Sequence, residues 1–430
     1  MGTHTGSQPG EKGQPKVGAL LLTSLGFYAL CTTLGLLLRY AFLQPLSWLE
    51  FGNALHAHSH TLYFGWLGLA VTVLAYRAVG ASRRAIHLAG GALTVISVGS
   101  FVAFLHSGYS APGIAVSTAA LVVWAAIIRG FFKASSGQRG LHLSFLRWGF
   151  AYIGLASLGA VARTVLLAAK IDDPLLARLT VFAFLHCFSW FFALSSIGLL
   201  VHHLEGRNLL HEDDARWLQR TLPFIGVLAW TGFPLAVPGG AEGLLGLFSS
   251  IGALVMVVAC LPWVRALWRA SRRSAQSTSS DGPLRLALRM TCVWLAFKLA
   301  MEVGGALGLS SMAAAVRQPV ILYLHVELVG FVTLALLVPV CAALRRPLSV
   351  TALWLHTGGL AVMVAGLGLA SLALLGVTVA HPVLEPLNAV VPWAMHLAAL
   401  GGAGIVAAAL LFLFPLPRHA PVLLPHAAAR

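Results

Sequence analysis

Long apolar runs broken by short polar stretches fill this chain, and the runs define its elements. A run of roughly 20 apolar residues makes a helix long enough to cross a hydrocarbon core of about 30 Å. The pattern predicts twelve such helices, at approximately 18–42, 54–76, 88–107, 113–130, 147–169, 179–203, 221–238, 243–264, 288–309, 318–343, 349–376 and 388–415. The seventh is short and carries Pro223, Pro234 and Pro238; the eighth comes after it across the turn-like PGGAEG. The fold class read from this pattern is all-α: one polytopic membrane domain over residues 17–417, between tails at 1–16 and 418–430. The first tail is polar and rich in Gly and Pro, so it is expected to be disordered. No cleavable signal peptide is expected, because the first apolar run is too long and lacks a small-residue cleavage site.

Composition agrees with the pattern. With 58% hydrophobic and 10% charged residues, soluble folds are set aside. A net charge of +15 would suit a nucleic-acid binder, but its distribution assigns it to topology. The N-terminal tail and the loops after even-numbered helices hold most of the Lys and Arg, among them Lys12, Arg83, Arg139, Arg207, Arg273 and Arg345. The opposite loops hold Lys170, Arg178 and Arg317. By the positive-inside rule both termini are cytoplasmic, and an even number of spans, which puts the two termini on one side, agrees with that. The expected setting is a bacterial inner membrane, with the bilayer as first partner and no nucleic acid. The longest cytoplasmic loop, ending in SRRSAQSTSSDGPLR, reads as a flexible linker. Cys31, Cys187, Cys260, Cys292 and Cys341 show no CxxC spacing, which argues against a disulfide framework or a thiolate metal site.

Polar side chains inside a span are costly and usually face the bundle interior, serving a ligand, an ion path or a cofactor. The stretch LHAHSHTLYFGWL places His56, His58 and His60 near the outer end of helix 2. His56 and His60, four residues apart, share a face, while His58 points roughly the opposite way. His186 in helix 6, His325 in helix 10 and His396 in helix 12 lie at a similar depth below the outer surface. Arg39, Arg163, Lys298, Glu302 and Glu327 also fall in outer halves of spans. Glu327 near mid-span is expected to pair with a cation or carry protons, with Lys298 and Arg163 as candidate partners and Glu302 one turn from Lys298. His202 and His203, at the cytoplasmic end of helix 6, read as interfacial residues. A His-x4-Gly spacing recurs at Gly65, Gly330 and Gly401, where a bare helix wall lets a neighbour or a flat ring come close.

Imidazoles gathered between helices suit haem iron, copper or zinc. A porphyrin also wants its propionates neutralised near an interface, and Arg39, Arg163 and Arg317 lie near the outer one. Two histidines from different spans would hold a six-coordinate, electron-carrying haem, whereas one free iron position would admit a diatomic gas.

Twelve spans with histidines in the outer halves of helices 2, 6 and 10 resemble the catalytic subunit of the haem–copper oxidase superfamily, which includes nitric oxide reductases. The run from His58 to Trp66, HSHTLYFGW, is closer still to the HxHxxxFG run of NnrS-type membrane haem proteins. The resemblance implies a low-spin haem b with His58 and His325 as axial ligands, and puts Tyr323 where the family has its high-spin haem ligand. It departs at Trp190, where an oxidase has tyrosine, and at helix 7, which has no histidine pair. An oxygen-reducing haem–copper pair is therefore not carried over. A second haem, copper or another metal is a separate expectation, held by His186, His396 and one of His56 or His60. The resemblance implies electron transfer or nitric oxide or oxygen handling by a membrane oxidoreductase, fed by a quinol or a cytochrome c, with accessory subunits. Two other readings stand beside it. One is a proton-coupled secondary transporter using Lys298, Glu302 and Glu327, and the other is a copper- or haem-handling assembly protein.

Overall fold

The structure is a computed structural model that describes residues 17–229, 231, 243–277, 281–309, 318–379 and 389–415. The expected tails, the PGGAEG turn as far as Glu242, and Arg317 lie outside the described residues. The described chain is helical throughout, and twelve helices succeed one another in the predicted order. Eleven are long and apolar enough to cross a bilayer: α1 Gly18–Leu43, α2 Phe51–Ala78, α3 Arg83–Ser107, α4 Ala111–Ser135, α5 Leu141–Ala168, α6 Pro174–Gly206, α8 Gly243–Ser274, α9 Gly282–Leu309, α10 Gln318–Ala343, α11 Val350–Leu374 and α12 Val390–Leu413. The protein is thus an all-α, multi-pass membrane protein.

The remaining helix, α7, runs Glu212–Leu228 and begins before the predicted seventh span. Its first turn carries Glu212, Asp213 and Asp214, which suit a helix N-terminus but not hydrocarbon. The last part of the predicted span, beyond 231, lies outside the described residues. Asp214 is buried and receives Arg265 Nε at 3.1 Å and Arg269 Nη1 at 3.3 Å from α8. Arg207 after α6 pairs with Asp281 before α9 at 2.7 Å. These basic residues, counted as one side by the charge asymmetry, do gather at one end of the bundle.

Local rules account for the helix starts. Ser82 caps α3 by accepting from the Ala85 N–H, and the Asp173 carboxylate accepts from Leu175 and Leu176 ahead of α6, where Pro174 takes the first helical position. The Glu50 carboxylate does the same for α2 through Gly52 and Asn53. That cap fixes where α2 begins, and therefore the depth of His56, His58 and His60.

Burial separates the helices into two kinds. In α2, α6 and α10 the apolar windows are 89%, 78% and 89% buried, against 22–44% in the other spans. These three form the centre of the bundle and the rest surround them. The two most buried share a second feature: α2 opens into π-helical turns over Thr61–Gly68, and α10 does so over His325–Val332. Each extra residue per turn rotates the remainder of the helix relative to an ideal one, and such segments recur at functional sites. Both segments begin within three residues of a histidine, His58 in one case and His325 itself in the other.

Candidate functional site

His58 and His325 meet. Their ring centres lie 6.5 Å apart with planes inclined by 14°, one ring from α2 and the other from α10. The His58 Nδ1 is 2.8 Å from the Cys31 carbonyl of α1, and the His325 Nδ1 is 2.7 Å from the Ile321 carbonyl in its own helix. A carbonyl can only accept, so each Nδ1 carries its proton and each Nε2 presents a lone pair. Among the described residues neither Nε2 has a hydrogen-bond partner. Fixing one ring nitrogen by a backbone carbonyl is how metal-binding histidines are commonly oriented. Two imidazoles held on opposite sides of one metal by bonds of about 2.0–2.1 Å would place their ring centres roughly 6.3 Å apart. The 6.5 Å between these two ring centres matches that spacing.

Both rings line one cavity bounded by α1, α2, α10, α11 and α12, with about 1170 Å³ of space free of protein atoms, its open mouth included. Its wall is mostly apolar, with Leu36, Leu62, Leu328 and Ile405 among the lining residues. The α1 wall is low at one point. A Cβ on Gly35 would come within 2.8 Å of the His58 ring, so only glycine lets the imidazole lie against that helix.

Arg39 lines the same cavity, is only 8% exposed, and sits within electrostatic reach of both imidazoles. Among the described residues it has neither a carboxylate nor a hydrogen-bond acceptor. A buried guanidinium without a counter-ion is expensive, and on a cavity wall it calls for an anionic group in the space it faces.

The other predicted residues divide into separate groups. Lys298, Glu302, Tyr323 and Glu327 form a second buried cluster between α9 and α10. Lys298 Nζ lies 2.9 Å from Glu302 and 3.8 Å from Glu327, and 3.9 Å above the Trp190 ring of α6. The Tyr323 hydroxyl donates to Glu302 at 2.6 Å. Tyr323 therefore faces α9 and does not line the cavity of His58 and His325. Glu327 is fully buried, and among the described residues its oxygens make no hydrogen bond. Of the two cations considered for it, Lys298 is the partner. Arg163 lies instead in reach of Tyr109, on the far side of α2, and does not line the cavity.

The four histidines considered for a second metal are not brought together. His56 and His60 do share a face, in an aromatic niche with Phe104 and Tyr109, where His60 stacks on Phe104 at 4.0 Å. The His186 Nε2–H donates to the Ala229 carbonyl, which ties α6 to the end of α7. His396 is exposed on α12 and its Nδ1–H donates to Pro392 one turn back. The glycines of the His-x4-Gly spacing serve helix packing: Gly65 faces Phe27, Gly330 faces Trp294 and Leu360, and Gly401 meets the Gly359 backbone. The flat-ring role falls to Gly35, which that spacing does not include.

One buried network was not anticipated from the sequence. Tyr28, which lines the cavity, has its hydroxyl 2.7 Å from His356 Nδ1, and His356 Nε2 is 2.9 Å from the Val329 carbonyl. The carbonyl acceptor fixes the tautomer, so Tyr28 donates. Nothing in the sequence around His356 names its partner, which comes from another helix. No protein-family model matches this chain, and no curated protein matches it.

Proposed function

We propose that the protein is a divergent haem–copper-oxidase-like membrane haem protein of the bacterial inner membrane, in which His58 and His325 hold one b-type haem iron near the outer face. The observation that carries the proposal is the facing imidazole pair, 6.5 Å apart, with each Nδ1 committed to a backbone carbonyl. Arg39 supports it, as the cation a propionate would neutralise, and so does the apolar cavity between them. When bound, the haem would supply reversible one-electron chemistry, with two imidazoles favouring electron transfer over binding of a gas at the iron.

The residues here do the rest. Cys31 and Ile321 hold the two rings in their tautomers, Gly35 gives His58 its place, and the aliphatic wall would limit water at a bound iron. Electrons would arrive from a quinol in the bilayer or a cytochrome c outside, and nitric oxide or oxygen handling belongs to the same reading. Full-length protein purified in detergent tests it by a reduced-minus-oxidised spectrum. A sharp low-spin haem signal, lost in His58→Ala and in His325→Ala but kept in His396→Ala, is the expected result. A colourless preparation after haem-replete expression would end the proposal.

A second reading, a proton-coupled carrier, draws on one specific observation: two carboxylates and one ammonium buried together between α9 and α10. Glu327, fully buried with the Lys298 ammonium 3.8 Å away, is the group placed to take up and release a proton. Solute-dependent proton movement in vesicles, abolished by Glu327→Gln and untouched by His58→Ala, would favour it over the first.

A further inference from the structure

At the end of the bundle that the charge asymmetry assigns to the cytoplasm, far along the helices from the paired imidazoles, α5 and α6 bring together His142, His202 and Glu205. Each offers one ligand atom, and these atoms all lie within 4.8 Å of one another, the one such group of His, Cys, Asp or Glu among the described residues. The His142 Nδ1 is 3.0 Å from Glu205 Oε2, and the His142 and His202 ring centres are 4.4 Å apart. His202 and Glu205 are three residues apart on α6 and so point the same way. His142 comes from the first turn of α5. The two helices pack too closely to slide, since a Cβ on Gly198 would lie 2.8 Å from Phe145 and 3.0 Å from the His142 carbonyl.

We propose that His142, His202 and Glu205 bind one divalent transition-metal ion of the zinc type, with a fourth position open to cytoplasmic water. The donor set decides the class: two imidazole nitrogens and one carboxylate are what zinc accepts, whereas calcium and magnesium want oxygen throughout. Two ligand atoms on one tetrahedral ion with bonds of about 2.0–2.1 Å lie roughly 3.3 Å apart. His142 and Glu205 already stand near that spacing. His202 is exposed and closes the remaining distance by turning about its own side-chain bonds. An interhelical His142–Glu205 hydrogen bond alone would explain two of the three residues and leave the second imidazole without a role. Arg77 lies within electrostatic reach of His202 and works against a bound cation, while the Glu205 carboxylate works for it. The ion would clamp the start of α5 to the end of α6.

Full-length protein carrying an affinity tag without histidine, stripped with a chelator, is titrated with Zn²⁺ against a chromophoric competitor of micromolar affinity. One zinc per chain is expected, weakened about 10-fold or more by His202→Ala and by Glu205→Gln. Zinc should also raise the melting temperature of the wild-type protein and not of the variants. Because His202 is exposed, its replacement leaves the fold intact. His58→Ala should bind zinc as the wild type does, which separates this site from the haem proposal. Failure of the wild-type protein to take zinc from the competitor, or equal binding by both variants, would overturn it.

Discussion

Gly35 and the His58 ring are in contact across α1 and α2: a Cβ on Gly35 would lie 2.8 Å from Cε1 and 3.3 Å from Nδ1. The ring cannot retreat without giving up the Cys31 carbonyl, its only anchor among the described residues, at 2.8 Å. With haem held as proposed, Gly35→Val is therefore expected to lower the haem-to-protein ratio about 10-fold or more, the range seen when groups that orient a metal ligand are removed. Gly26→Ala, on the same helix with nothing within 4 Å of the added carbon, should leave the ratio unchanged. A pyridine haemochrome assay on both variants reads the difference. Equal ratios would remove Gly35 from the site.

Arg39 makes a second, electrical prediction. A positive charge fixed near an iron opposes its oxidation, so removing the charge stabilises the oxidised form and lowers the midpoint potential. One unit charge across roughly 10 Å, at an effective dielectric near 20, contributes about 1.7 kcal/mol, or several tens of millivolts. Arg39→Gln should shift a potentiometric titration downward by that order, with Arg39→Lys closer to wild type. An unshifted or raised potential would show that the guanidinium does not face the metal.

How much of this was visible in the sequence differs residue by residue, and the reason is physical. The spans were legible because the bilayer imposes length and composition, and the grouping of Arg207, Arg265 and Arg269 at one end agrees with the charge asymmetry. The pairing of His58 with His325 rested on a resemblance to a known family rather than on the residues alone. The fate of His396 was hidden. A helix apolar on all sides carries no amphipathic signal to tell lipid from bundle, so depth could be read but direction could not. The π-helical turns in α2 and α10 add to this, since they break the 3.6-residue phase by which faces are assigned. Gly35 was missed for a third reason: its role depends on a ring from another helix, and nothing in its own neighbourhood marks it.

The buried trio of Lys298, Glu302 and Glu327 yields a stability prediction whose sign depends on which member is changed. Lys298→Met leaves two buried carboxylates without their cation, and breaking a buried pair from one side costs about 3–5 kcal/mol. Glu327→Gln removes a buried charge at nearly constant shape and should be neutral or mildly stabilising. Lys298→Met combined with Glu302→Gln should recover part of the loss. Thermal unfolding in one detergent orders the variants, and a destabilised Glu327→Gln would mean that the Glu327 charge is needed for the fold.

Tyr28 and His356 supply the last prediction, because their hydrogen bond joins the cavity wall to the π-helical part of α10 through the Val329 carbonyl. Tyr28→Phe strands an imidazole nitrogen in a dry interior, which costs about 1–3 kcal/mol. Tyr76→Phe is the fair comparison: it also deletes a buried tyrosine hydroxyl bonded to a carbonyl, that of Ile127 at 2.7 Å, but Tyr76 does not line the cavity. The two variants should lose similar stability, yet only Tyr28→Phe should alter haem retention, since it frees the segment of α10 that carries His325. In a double-mutant cycle, Tyr28→Phe with His356→Leu should show a coupling of about 0.5–3 kcal/mol, because the partners then disappear together. Strict additivity in that cycle, or haem loss of equal size in Tyr76→Phe, would show that the network braces the bundle without positioning the ligand.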